Sequence, residues 1–295
     1  MYTKQALREI GIQTELAPTY REQLDQDGFF LVKNYFDEEE CDRMATEFDR
    51  LTELEGNQGG HEVHIEPNAS RISNIFNKTT EFDRCLSIEY LLQASHYLLG
   101  EFKVHGANLR EPLHNGGHQK LHTDVPKKFG DDWWVSNSII ALDDITIENG
   151  PPRVVPRSHK WQPLNVAYVN IHDWEPKPLT AEEEARVPTD LEAVYPGEQL
   201  ITAPKGSVIV MNSALWHGGT LNKSGARRRV LHLTYTRRDL PQQLVQRKHL
   251  TEELYERMSD AHRFLLDIEE LPDVPLDLLK SAGRNSTSDW WNPET

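Results

Sequence analysis

The run PKGSVIVMNSALWHGGTLNKSGARRRVLHLTYT, residues 204–236, holds two short apolar, β-branched stretches, SVIVMNS and RVLHLTYT, joined by a segment rich in Gly, Asn and Ser. Such stretches, bounded by turn residues, read as strands. The same texture extends back to about residue 101 in FKVHGANL (102–109), WVSNSIIALDDI (134–145) and PRVVP (152–156). Several short strands at this spacing predict a mainly β sandwich or barrel. One charged, Pro- and Glu-rich segment, 162–199, interrupts them and is expected to run over the barrel mouth.

Helical patterns flank the strand region. TYREQLDQDG reads as a helix closed by Gly28, and FFLVKNYF (29–36) as a buried strand. Asp37 with Glu40 predicts a capped helix start, and Cys41, Met44, Phe48 and Leu51 recur on one face after it. Residues 55–70 are polar and Gly-rich, the pattern of a mobile surface loop. A helix is expected over 80–99, and another helical stretch over HLTEELYERMSDAHRFLLDI (249–268), followed by a polar tail with Trp290 and Trp291. The simplest account is one domain over 1–295: a helical part to about 100, a β core over 101–239, and C-terminal helices and tail from 240.

Bulk properties narrow the function classes. Lys and Arg total 32 against 47 Asp and Glu, a formal charge of −15, which argues against binding a phosphate backbone or an anionic membrane surface. The first twenty residues carry no apolar run of signal-peptide length, so the expectation is a soluble, cytoplasmic protein acting on a small molecule. Oligomeric state is not legible. Cys41 and Cys85 form no Cys-Xaa-Xaa-Cys pair, so a bound metal must be held by His and carboxylate.

LHTDVP, residues 121–126, offers such a pair. In a strand, His122 and Asp124 point to the same face and present an imidazole and a carboxylate to one point. Two His and one carboxylate hold iron(II) in non-heme oxygenases and leave adjacent positions open. Alone the pattern is weak, because 13 His and 47 acids in 295 positions give about two such pairs by chance. His64 and Glu66, preceded by His61, form the decoy, in a stretch with no strand pattern. His217, ending an apolar strand before Gly218 and Gly219, is the third candidate ligand. Arg228 begins the next strand, where its guanidinium can grip the far carboxylate of a keto acid chelated at the metal. Alternation turns Arg227 and Arg229 away from that face, as a solvated basic cluster.

These residues resemble the phytanoyl-CoA dioxygenase-like (PhyH) family of iron(II)/2-oxoglutarate-dependent oxygenases. The matching landmarks run in order over most of the chain: DGFFLVKNYF, HQKLHTD, ALDDITIENGPPRVVPRSHKW and SALWHGGTLNKSGARRR. The resemblance implies a double-stranded β-helix (jelly-roll, cupin-like) core. It implies Fe(II), 2-oxoglutarate and O2 as cofactor and cosubstrates, with His122, Asp124 and His217 as iron ligands and Arg228 on the 5-carboxylate. Asn137, Gln119 and Arg110 are further candidates for the cosubstrate; Arg110 departs from the Lys common in relatives. At 156–159 this chain has Pro-Arg-Ser-His where the family has Pro-Gly-Ser-His, and His159 reads as structural. Retention of Asp124 favours hydroxylation over halogenation, with succinate and CO2 released.

Trp133 and Trp134 are candidates for stacking on substrate, with packing as the alternative, and Trp216 is assigned to packing. His232 and Thr234 share the parity of Arg228 and are expected inside the barrel. Desaturation, epimerisation or ring formation by the same centre is the alternative outcome. A non-oxidative cupin-type metal enzyme and a catalytically silent ligand-binding relative are the alternative classes.

Overall fold

The strands expected between 101 and 239 form in the computed structural model, which describes residues 1–127, 130–166 and 177–269. Six of the strands build an antiparallel major sheet: β1 (Phe29–Val32), β2 (Ala69–Ile72), β3 (Phe102–Pro112), β4 (Val135–Ala141), β7 (Val208–Asn212) and β9 (Val230–Arg237). Their order across the sheet is β1-β7-β4-β9-β3-β2. A minor sheet orders β5 (Pro152–Val154), β6 (Gln199–Leu200) and β8 (His217–Gly219) as β6-β5-β8. The mainly β jelly-roll expectation is met.

Strand alternation divides the apolar residues between two layers. Ile140, Val208, Val210, Leu231, Leu233 and Tyr235 face outward and share a core with Leu7, Phe48, Leu91, Leu92, Phe264 and Leu265. Those partners come from α1 (Thr3–Glu9), α3 (Glu38–Glu55), α4 (Glu89–Leu99) and α7 (Asp260–Leu266). Ile139, Ala141, Ile209, Met211 and Val230 face inward and pack with Val154 and Leu215 from the minor-sheet side. The site lies in this inner space.

Local signals behave as their chemistry dictates. α2 (Pro18–Gln26) ends before Gly28, and Asp37 and Glu40 form a reciprocal capping box at the start of α3, a device worth about 1 kcal/mol. Three expectations need correction. The helix expected over 80–99 begins only at Glu89, preceded by a 3-10 turn at Asp83–Ser87. The C-terminal stretch is broken at Met258 into α6 (Glu252–Arg257) and α7, with Ser259 capping the latter; Trp290 and Trp291 lie outside the described residues.

The third correction concerns 55–70, read as a mobile surface loop. Val63 is 3 % and Glu62 6 % exposed, Lys78 bridges Glu55 and Glu62, and residues 69–72 are β2. Glu55, Glu62 and Glu66, which suggested solvation, are spent on ion pairs, while Asn57, Gln58 and Asn68 stay exposed. Among the described residues no helix is long and apolar enough to cross a membrane.

Candidate metal centre

His122 and His217 meet across an antiparallel bridge in which each backbone N–H donates to the other's carbonyl at 2.9 Å. Alternation places Asp124 on the same side as His122, and Thr123, 1 % exposed, on the opposite side. Trp216, one residue before His217, likewise faces away, fully buried, with its indole N–H on the Gln162 carbonyl at 2.9 Å. Gly219 is required by close approach: a Cβ there would lie 2.3 Å from the Gly117 carbonyl oxygen. Gly218 and Gly219 belong to β8, whose bare backbone lets the segment leading to His122 lie against it.

The side chains converge. Asp124 Oδ1 lies 3.3 Å from His217 Nε2 and 3.8 Å from His122 Nε2, and the three ligand atoms lie within 4.8 Å of one another. Nδ1 of His122 contacts the Lys120 carbonyl at 2.7 Å and Nδ1 of His217 the Leu215 carbonyl at 2.8 Å. A carbonyl only accepts, so both Nδ1 atoms carry the proton and both Nε2 lone pairs face Asp124. Burial, reinforced by the neighbouring His217, pushes His122 down to about 4. For His217 burial works the other way from the Asp124 charge, which wins and raises it; Asp124 in turn stays below the usual carboxylate range despite its burial. Two nitrogen lone pairs and one ionised oxygen aimed at one point fit a divalent cation of the iron type.

Asn137, opposite Met211 and Thr234 in register, donates from Nδ2 to Asp124 Oδ2 at 3.0 Å. That bond occupies one carboxylate oxygen and leaves Oδ1 for the metal. Arg228 is 2 % exposed, and its Nε and Nη2 have no hydrogen-bond partner among the described residues. Burial, then the charge of Arg110, pushes its pKa down to about 9, so it is cationic at neutral pH. A buried guanidinium with open donors fits the carboxylate of an acidic cosubstrate. His232 and Thr234 line the same inner face, as their parity predicts; Thr234 Oγ1 donates to the Gly106 carbonyl at 3.1 Å.

The remaining candidates occupy varied positions. Gln119 Oε1 accepts the Gly219 N–H at 2.9 Å and so braces β8 beside His217. Arg110 is buried, and Glu66 holds its Nε at 2.9 and 2.8 Å. Trp134 is 3 % exposed in a cluster with Val125 and Val135, its indole N–H on Asp132. Trp133 is half-buried under Lys127 Nζ, 5.2 Å from the ring centre, and beside His159. His159, 2 % exposed, packs against Gly28 and accepts Lys127 on its carbonyl, a structural position.

The decoy stays apart from the metal triad, but not as a solvated patch. Glu66 binds Arg110 and Arg71. Arg227 and Arg229 point outward as expected and pair there with Glu111, Asp143 and Asp49, Arg227 remaining exposed and Arg229 half-buried. Sequence reasoning missed Arg153, which is 2 % exposed and donates to the carbonyls of Gln119, Leu191 and Ala193. It ties residues 191–193 to the segment that leads into His122. Its only signal was a charge inside the apolar run PRVVP.

Comparison with known proteins identifies the family. The family model for phytanoyl-CoA dioxygenase (PhyH) matches residues 24–230. L-proline trans-4-hydroxylase of Streptomyces griseoviridis is 28 % identical over 171 residues, which cover 52 % of this chain and 62 % of that protein. Ectoine dioxygenase of Stutzerimonas stutzeri is 24 % identical over 237 residues, covering 74 % of this chain and 76 % of the relative. Among solved structures, HygX of Streptomyces hygroscopicus with nickel and 2-oxoglutarate bound superposes with a TM-score of 0.58 at 18 % identity, over 77 % of this chain and 90 % of HygX. With the family model covering most of the jelly roll and both halves of the His-Asp-His site, the chain belongs to the phytanoyl-CoA dioxygenase (PhyH) family of iron(II)- and 2-oxoglutarate-dependent dioxygenases.

Proposed function

We propose that this dioxygenase hydroxylates an unactivated C–H bond of a small metabolite, with His122, Asp124 and His217 holding iron(II) and Arg228 holding the distal carboxylate of 2-oxoglutarate. The observation that carries the reading is the pairing of a three-ligand cluster with one buried, open-donor guanidinium on the inner side of one barrel. When bound, iron and 2-oxoglutarate would let dioxygen supply the oxidation: one oxygen atom would enter the succinate formed with CO2 and the other the substrate's C–H bond. The chain's share is positioning. The Lys120 and Leu215 carbonyls fix the two imidazoles, Asn137 fixes the carboxylate, and Gln119 braces the strand that carries His217.

A small-molecule substrate is supported by the relatives, whose names give proline and ectoine, and by a HygX structure containing hygromycin B. Trp133, half-buried beneath Lys127 and packed against the helix-side core, is the less enclosed of the two tryptophans and the one retained for substrate contact; Trp134 is committed to packing. Anaerobic addition of iron(II) and then 2-oxoglutarate is expected to give a weak visible charge-transfer band. Succinate is expected when oxygen and a substrate from an amino-acid, osmolyte and aminoglycoside panel are added. No band and no succinate would overturn the reading.

A further inference from the structure

Arg110 and Arg228 face the same interior from neighbouring strands. Arg110 is in register with Val230, and Arg228 lies two residues before Val230 with the same side-chain parity. Both are buried, at 5 % and 2 % exposure. Their surroundings differ sharply. Glu66 takes Nε and Nη2 of Arg110 with both of its oxygens. Arg71, in register with Arg110 on β2, also reaches Glu66 Oε2, at 3.3 Å. Arg228 has Nε and Nη2 open.

The segment that carries Glu66 is pinned. Lys78 bridges Glu55 and Glu62 on one side of it, and the Leu113 N–H donates to the Asn68 carbonyl at 3.0 Å on the other. Glu66 is therefore held at Arg110 by the fold. The two arginines also sense one another: Arg110 is the largest charge acting to depress Arg228, and Glu66 acts against it.

We propose that Glu66 is a specificity-determining residue that, by occupying Arg110, limits the cosubstrate end of the barrel to one incoming carboxylate, the one that Arg228 receives. This rests on the assignment of Arg228 to 2-oxoglutarate. Glu66 holds Arg110 and also reaches Arg71, so a dicarboxylate with one end on the metal finds a single matching anchor in Arg228. Without Glu66, two adjacent guanidiniums form a site for a compact oxyanion.

Glu66→Gln keeps the shape and removes the charge. The probe is inorganic phosphate, titrated against the anaerobic iron(II) and 2-oxoglutarate complex and followed by loss of its visible band and by thermal shift. In Glu66→Gln, phosphate is expected to displace 2-oxoglutarate at a concentration lower than in wild type by at least about tenfold, the worth of one charge-assisted hydrogen bond. The double variant Glu66→Gln, Arg110→Gln is expected to return to the wild-type phosphate response. If Glu66→Gln lowers only the melting temperature and leaves phosphate competition unchanged, Glu66 merely pins its loop and the proposal fails. It fails equally if the double variant is as sensitive as the single one. Should Glu66→Gln not fold, Glu66→Asp, whose shorter side chain loosens the pair, must show the same shift to a smaller degree; a wild-type response there overturns the proposal. An error in the underlying assignment reads differently: Arg228→Ala would then bind 2-oxoglutarate as wild type does, before any phosphate is added.

Discussion

His122 and His217 exchange both of their backbone hydrogen bonds at 2.9 Å, so the imidazoles they carry are set by the same ladder that joins the two chain segments. Each Nδ1–H is in addition committed to a carbonyl of its own segment. The ligand geometry therefore exists before any cation arrives. His122→Ala or His217→Ala is expected to lower iron affinity by more than about 100-fold, beyond the usual cost of losing a residue that only supports a ligand. His64→Ala is expected to leave metal content unchanged. Anaerobic iron loading followed by metal analysis checks this, and loss of iron in His64→Ala alone would mean the wrong His-Xaa-acid pair had been chosen.

Asn137 tests the layer behind the ligands. Its Nδ2 fixes Asp124 Oδ2 at 3.0 Å and leaves Oδ1 toward the histidines. Asn137→Ala is expected to weaken iron binding by about 10- to 100-fold while preserving the fold. An iron titration indistinguishable from wild type would remove Asn137 from this role.

Arg228 makes a separable prediction because it touches none of the metal ligands. Arg228→Ala is expected to weaken 2-oxoglutarate by about 100-fold, the scale of a buried charge-assisted pair, and to leave iron affinity within about threefold. Arg228→Lys should recover only part of the loss, since an ammonium cannot match a planar carboxylate with two parallel bonds. Parallel titrations of iron and 2-oxoglutarate decide it; equal loss of both would place Arg228 in the fold and not in the pocket.

The ligands and Arg228 were legible because each rests on local spacing, although the strands are shorter than expected: His122 forms only an isolated bridge to His217, and Arg228 lies two residues before β9, which carries His232 and Thr234. Glu66 was not legible, since its partners Arg110 and Arg71 lie on strands that only the tertiary fold brings to it. A further obstacle is the irregularity between Val104 and Gly106 in β3. Simple alternation from the outward-facing Phe102 would turn Arg110 outward as well; the extra residue reverses the parity and turns it inward. The buried role of Arg153 was hidden for a similar reason, because carbonyls of the 162–199 excursion receive it only after folding.

Buried histidines away from the metal predict the acid response. Burial pushes His64 down to about 3, and His159 and His249 to about 4, from an ordinary value of 6.5. Between those limits the unfolded chain binds protons that the folded chain refuses, so stability falls as pH drops below about 6.5. Glu66 adds to this at lower pH: despite burial, Arg110 holds it at about 2 from 4.5, and its contribution is lost as pH falls from about 4.5 toward 2. Melting temperature is expected to be flat above pH 7 and to decline steadily from pH 6.5 to 4. A melting temperature unchanged over that lower range would contradict the burial of these groups.

Arg157 supplies a prediction in the opposite direction. The family's Pro-Gly-Ser-His reads Pro-Arg-Ser-His here, and the structure places Arg157 at φ 74 and ψ −11, in the left-handed region. An L side chain in that region costs on the order of 1 to 2 kcal/mol, because Cβ crowds the following carbonyl. Arg157 is exposed, and among the described residues its hydrogen bonds are backbone ones, its N–H on the Asp27 carbonyl and its carbonyl accepting the Lys160 N–H, at 3.1 Å each. Glycine would keep both bonds. Against the relief stands the greater freedom of glycine in the unfolded chain, about 0.5 to 1 kcal/mol. Arg157→Gly is therefore expected to raise stability by about 0.5 to 1 kcal/mol in chemical denaturation, without altering iron or 2-oxoglutarate binding. A loss of stability would show that the arginine side chain makes a compensating contact, and the strain at this turn would then be retained for a reason other than chance.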